Sequence, residues 1–230
     1  MFHAFVAKAL FAASRGRPDI QVALAFLCTR VKNPTEEDWI KLLRMMRFLH
    51  KTQDDVLTLG AEGASIMKWY ADATFAVHPD MKSHTGYNMT MGRGSIISAS
   101  KKQKLNTKSS TEAELIAANE AVNNIMWSKL FIQEQGYNPA VIFKQDNTST
   151  IQLEKHGKAS SQRRTRHINI RHFYITDLIE KNEFKSEFCP TNMMEADHLS
   201  KPLQGKEFER QRRILMGMDP MSEDQHWDCM

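Results

Sequence analysis

The sequence predicts an α/β protein: a mixed five-stranded sheet flanked by helices and preceded by a small helical segment. Two observations carry this reading. From about residue 65, short apolar runs bounded by turn residues first follow one another directly and then alternate with helical stretches. Before that point, apolar residues recur at helical spacing instead.

Residues 1–60 form the helical segment. A first run, Phe2 to Ser14, ends at the turn Arg15-Gly16-Arg17-Pro18, and Pro18 suits the first turn of the next helix. That helix carries Ile20, Val22, Ala23, Ala25, Phe26 and Leu27. Thr35 is a cap residue followed by acids in the first turn of a third helix, whose stripe is Trp39, Leu42, Leu43, Met46 and Leu49.

Residues 65–205 form the sheet domain. Its strands are Ile66 to Tyr70, ending at Ala71-Asp72; His84 to Met91; Ser95 to Ala99; Val141 to Lys144; and Phe184 to Phe188. Gly92-Arg93-Gly94 is a hairpin signal between the second and third. A polar link, Lys101 to Lys104, leads into a long helix from about Thr111 to Gln135, with the stripe Leu115, Ala118, Val122, Ile125, Met126 and Leu130. A helix spans about Thr148 to Lys155, another follows to about Lys181, and a last one includes Met193 to Ser200. Residues 206–230 read as a C-terminal tail.

Composition narrows the class. Of 230 residues, 41% are hydrophobic and 25% charged, which excludes a disordered chain. The net charge of +4 is too mild by itself to imply nucleic acid. Cys28, Cys189 and Cys229 lie far apart, without zinc-ligand spacing, and suit a reducing, intracellular setting. Lys8 interrupts the apolar run at the start, so that run is a core helix rather than a leader. No run approaches the length of a membrane span, and no membrane partner is expected.

Four carboxylates stand where a sheet fold gathers polar groups. Asp72 and Asp146 end strands, Glu114 lies in the first turn of the long helix, and Asp197 sits in the last helix. Taken singly, each is a turn or capping residue. Glu114 completes the capping box Thr111-x-x-Glu114, and Ser109-x-x-Glu112 is an overlapping one. Glu112 and Glu114 face nearly opposite sides of a helix, so one alone points inward. Glu114 directly precedes the apolar face and is the candidate ligand, with Glu112 the cap. Taken together, four converging acids would repel unless cations neutralise them, and hard oxygen ligands suit Mg²⁺, with Mn²⁺ able to substitute.

A set of motifs then follows in order: Tyr70-Ala71-Asp72-Ala73, His84-Thr85-Gly86-Tyr87, "SASKKQK" from Ser98, "SSTEAELIAANEA" from Ser109, Trp127, "QDNTSTI" from Gln145, "RRTRHINIRHFYI" from Arg163, and "FCPTNMMEADHLSKPL" from Phe188. The set resembles the ribonuclease H region of copia-type retrotransposon polyproteins. "GRPDI" from Gly16 and "NPTEEDWIKLLRMMRFL" from Asn33 resemble the segment that precedes it there, at the end of the reverse transcriptase.

The resemblance implies a ribonuclease H-like fold and metal-dependent cutting of the RNA strand of RNA–DNA hybrids, with Asp72, Glu114, Asp146 and Asp197 holding two Mg²⁺ ions. It also implies the rest of a reverse transcriptase polyprotein as partner, and a cytoplasmic particle or the nucleus as location. No paired-aspartate polymerase motif is present, so polymerisation is not expected, and Met1 is expected to mark the edge of a fragment. Two places depart from the family pattern. Thr74 and Phe75 stand where an acid and a tryptophan are usual, and the Pro190-Thr191-Asn192 loop lacks the histidine that some ribonucleases H use in product release. His198 is expected to point away from the site. A catalytically weak nucleic-acid-binding remnant is the alternative reading. An integrase or resolvase of similar fold would order its acids differently.

From Lys155 to Thr176 there is no acidic residue. Arg163, Arg164, Arg166, His167 and Arg171 there are candidate phosphate contacts, and Lys101, Lys102 and Lys104 form a second, weaker patch. Ser109 and Asn147, with backbone near Glu114, are candidates for reading 2′-hydroxyls.

Overall fold

The structure is a computed structural model describing residues 1–61, 63, 65–156 and 174–219. Three helices open the chain: α1 (Phe2–Arg15), α2 (Gln21–Cys28) and α3 (Glu36–Lys51). Pro18 begins a separate 3-10 turn, Pro18–Ile20, just before α2. Thr35 and Asp38 cap α3 reciprocally: the Thr35 hydroxyl accepts the Asp38 amide, and the Asp38 carboxylate accepts the Thr35 amide. Phe2, Val6, Ile20, Leu24, Leu27, Leu42 and Met45 bury against one another between these helices. Leu43 and Met46 of the expected α3 stripe lie on its exposed side.

A two-stranded ladder joins β1 (Gly60–Ala61) to β4 (Gly92–Arg93). The Gly92-Arg93-Gly94 signal therefore marks a second strand pairing rather than a simple hairpin tip. The main sheet contains β2 (Ile66–Thr74), β3 (His84–Thr90), β5 (Ile97–Lys102), β6 (Ala140–Gln145) and β7 (Lys185–Phe188), in the order β5-β3-β2-β6-β7. β3 pairs antiparallel with both β2 and β5, while β6 runs parallel to both β2 and β7. It is the mixed five-stranded sheet the sequence predicts.

α4 (Ser110–Glu134) covers one face. Met67, Trp69 and Ala71 alternate onto that face of β2 and pack with Leu115, Ala118, Val122 and Ile125. Leu130, expected in the same stripe, is exposed. Next come α5 (Thr148–His156), a helix whose described residues are 174–180 (α6), α7 (Asp197–Ser200) and α8 (Gly205–Met216). On the other face of β2, Tyr70 packs with Cys189, Met194 and Ala196, the chain leading into α7. Among the described residues, no helix is long and apolar enough to cross a membrane.

Several boundaries differ from the sequence expectation. The last helix, expected to include Met193 to Ser200, begins at Asp197 as α7, after a separate 3-10 turn at Thr191–Met193. β2 continues through Asp72 to Thr74, because the full length of β3 pairs with it. β5 takes in Lys101 and Lys102, read as part of a link, because they pair with Thr85 and His84. Residues 206–216 of the expected tail belong to α8 (Gly205–Met216), which is docked rather than loose. Leu215 and Met216 are buried, and their carbonyls accept the Ser95 and Thr58 amides.

α8 also closes a charged cluster with the helical segment. Arg212, 2% exposed, donates to Asp19 at 3.1 Å and pairs with Asp55. Arg17 reaches the same Asp19 carboxylate at 2.8 Å. A buried charge is tolerated only when so paired. The helical segment is thus fastened to the sheet domain and not merely adjacent in sequence.

Candidate metal centre

β2 is the middle strand, and Asp72 follows Tyr70 by one alternation onto the face that α7 covers. The parallel β2–β6 register sets Tyr70 beside Lys144, so Asp146, just past the end of β6, comes abreast of Asp72. α7 then brings Asp197 over the sheet. Oxygens of Asp72, Asp146 and Asp197 all lie within 4.8 Å of one another.

Glu114 comes from the start of α4. Ser109 is the N-cap there and accepts the Glu112 amide at 3.2 Å, while Glu112 accepts the Lys108 amide at 2.7 Å. The Ser109 pattern, not the overlapping Thr111 one, caps the helix and leaves Glu114 free to face inward. Glu114 accepts the Ala73 backbone amide and feels the Asp72 and Asp146 charges.

The electrostatics are those of crowded acids. Burial, with Asp72 and Asp146 beside it, pushes Glu114 up to about 9. Burial also raises Asp146, and Asp72 adds to this. Asp197 rises to about 6, mainly through burial, against the opposing pull of its hydrogen bond from Lys201. Burial disfavours charge on Lys201, yet Asp72 and Asp197 hold its ammonium above the ordinary range.

Three neighbours given no role from the sequence support this cluster. The Ser200 hydroxyl donates to Asp72. Lys201 Nζ donates to Asp197 Oδ1 at 2.7 Å and lies 3.3 Å from Asp72 Oδ2. Thr191 donates to Asp146 Oδ2 at 3.2 Å. The spacing Asp197-x-x-x-Lys201 was a visible signal, since residues four apart on a helix meet. Nothing local marked Ser200 or Thr191.

The remaining candidates fall elsewhere. Asn147 Oδ1 accepts the Thr150 amide at 3.1 Å and starts α5, so its carbonyl is engaged. His198 points away, as expected: its Nε2 bonds the Asp19 carbonyl at 3.0 Å and its ring packs on Phe208. Thr74 donates to the Ser200 carbonyl at 2.9 Å and so steadies α7. Arg163, Arg164, Arg166, His167 and Arg171 lie outside the described residues.

No protein-family model matches the chain. It is 34% identical over 212 residues to the retrovirus-related Pol polyprotein from transposon TNT 1-94 of Nicotiana tabacum, covering 91% of this chain and 16% of that protein. The chain is homologous to retrovirus-related transposon Pol polyproteins. Another such relative, from transposon RE2 of Arabidopsis thaliana, is 29% identical over 203 residues, covering 86% of this chain and 14% of that protein. This agrees with the copia-type resemblance of the motifs. The chain spans about a sixth or less of the length of these curated relatives. Among solved structures, LC11-RNase H1, isolated from compost by a metagenomic approach, aligns with a TM-score of 0.44 and 14% identity, covering 59% of this chain and 92% of that one.

Proposed function

We propose that this Pol segment is a ribonuclease H-type endonuclease that hydrolyses the RNA strand of RNA–DNA hybrids. The observation that carries the proposal is the meeting of Asp72, Asp146 and Asp197 within 4.8 Å, with Glu114 electrostatically joined to them.

The donor set fits a pair of Mg²⁺ ions. All its ligand atoms are hard carboxylate oxygens, drawn from β2, α4, the end of β6 and α7. The raised acids are what such a set gives when its charge is under-compensated. Bound there, the ions would supply an activated water and stabilise the departing oxygen of an in-line phosphodiester displacement.

The chain's own groups do the positioning. Asp72, buried on the central strand, is fixed by Ser200 and would be one of the residues that hold the ions. Asp146 is held by Thr191, and Asp197 by its place on α7. Glu114 enters from α4 with the Ala73 amide as its anchor. The basic stretch with Arg163, Arg164, Arg166, His167 and Arg171 is proposed to grip phosphates, and Ser109 and Asn147 to lie along the RNA strand. The rest of a reverse transcriptase polyprotein is the proposed partner, in an intracellular particle or the nucleus.

Hybrid cleavage in Mg²⁺ tests this with the wild type and Asp146→Asn. Cleavage by the wild type that drops to background in the variant is the expected result, and equal rates in both would sink the reading. Retained hybrid binding with no cleavage by the wild type would favour the remnant instead, to which the Thr74 and Phe75 departures point.

A further inference from the structure

Lys201 stands where a cation belongs. Its Nζ lies 2.7 Å from Asp197 Oδ1 and 3.3 Å from Asp72 Oδ2, between two acids proposed to hold metal. Its charge also reaches Glu114 and Asp146, so all four acids face it or feel it. Arg210 acts on Asp197 only at longer range, because its guanidinium is taken up by Glu207 and the Asn192 carbonyl.

The geometry points to Lys201 as a built-in counter-cation that holds Asp72 and Asp197 together in the metal-free chain and gives up that place when a divalent ion enters. This rests on the metal reading above. Three features of the residue suit the role. It directly follows α7, four residues after Asp197, so the pair forms within a single turn and needs no other element. A lysine ammonium is a compact point charge on a flexible stem, able to leave, whereas an arginine fork would lock on the carboxylates. Its side chain is also about a third exposed, 34%, so it has a way out to water, while Asp72 and Asp197 are 2% and 10% exposed.

The physical consequence is competition. Without a cation, acids packed this closely repel, which would loosen α7 from β2. One ammonium offsets part of that charge. A divalent ion brings twice the charge and takes direct oxygen coordination, but it must displace the ammonium and then tolerate a like charge nearby. Lys201 is therefore expected to make the metal-free protein more stable and to weaken metal binding at the same time.

The test uses the full chain, stripped with a chelator and titrated with Mn²⁺ while free Mn²⁺ is read by electron paramagnetic resonance. Lys201→Met should bind Mn²⁺ about tenfold more tightly, the scale of one unit charge removed a few ångströms away in a partly wet site. The same variant should melt at a lower temperature in chelator. Lys201→Arg keeps the charge and should bind no more tightly than wild type. Lys201→Gln is a second neutral variant in case the methionine disturbs packing. Equal or weaker Mn²⁺ binding in both neutral variants overturns the inference and leaves the metal reading standing. Uptake by the neutral variants but not by the wild type supports competition in its strongest form, and no uptake by any of the chains overturns the metal reading and this inference with it.

Discussion

Gly86 lies directly across the β2–β3 ladder from Asp72, and the backbone of α7 occupies the space a side chain at 86 would need. A Cβ there would come within 2.6 Å of the Leu199 carbonyl carbon and the Ser200 nitrogen, and 2.8 Å of the Ala196 oxygen. The missing side chain lets α7 rest on the sheet and bring Asp197 and Ser200 to Asp72. Gly86→Ala is therefore expected to cost about 1–3 kcal/mol through overpacking. It should also weaken Mn²⁺ binding, because Asp197 is lifted from Asp72. Urea unfolding and Mn²⁺ titration check the two effects; a variant as stable and as tightly binding as wild type would show that the close approach is not needed.

Arg212 and Asp19 join the two ends of the described chain, 193 residues apart, in a buried pair. Removing Arg212 leaves the buried Asp19 carboxylate facing Arg17 alone and removes the Arg212–Asp55 contact. Arg212→Met should lower unfolding stability by about 1–3 kcal/mol, less than breaking an isolated buried pair because Arg17 still compensates Asp19. Because the His198 ring lies between the Asp19 carbonyl and Phe208, and Phe208 packs in turn on Phe48, α7 should loosen with it. Hydrogen exchange at the Leu199 and Ser200 amides is the direct readout, and protection equal to wild type would separate α7 from this cluster.

Glu154 gives the stability curve a pH dependence of its own. It is fully buried between α5 and the sheet, accepting Gln145 Nε2 at 2.6 Å and the Ser186 hydroxyl at 2.9 Å. Burial raises it from 4.5 to about 7, although both hydrogen bonds oppose the rise. The folded chain then holds this proton where the unfolded chain has lost it. Its contribution to stability should fall as pH rises from 4.5 to about 7 and level off above. Glu154→Gln keeps the shape without the charge. It should gain about 3 kcal/mol over wild type at pH 8 and show little gain at pH 4, since each tenfold difference in proton affinity between folded and unfolded chains is worth about 1.4 kcal/mol. Urea unfolding at the two pH values measures this, and a gain of the same size at both would refute a burial penalty on the carboxylate.

Much of this molecule was legible in the sequence, for a physical reason. Period-two and period-3.6 apolar patterns are local, so β2, β3, β6 and α4 announced themselves along with the helical segment. Asp72, Glu114, Asp146 and Asp197 could each be placed at a strand end or helix turn because those positions depend on neighbours only a few residues away. The ordered motifs then tied the four together through resemblance rather than through any physical signal.

Tertiary structure decided the rest, because the deciding contacts span long stretches of chain. Asp72 lies inside β2, not after it, since ladder pairing with β3 extends the strand. The cap of α4, by contrast, is local: Ser109 accepts the Glu112 amide three residues on, in line with the sequence reading of Glu112 as the cap. α8 reads as tail because few of its residues are apolar, and it is held by buried charge instead: Arg212 finds Asp19 only once both ends of the chain have met. Sequence alone thus determined which acids were available and on which elements. Packing of α7 on Gly86 determined that Asp197, with Lys201, reaches Asp72 at all.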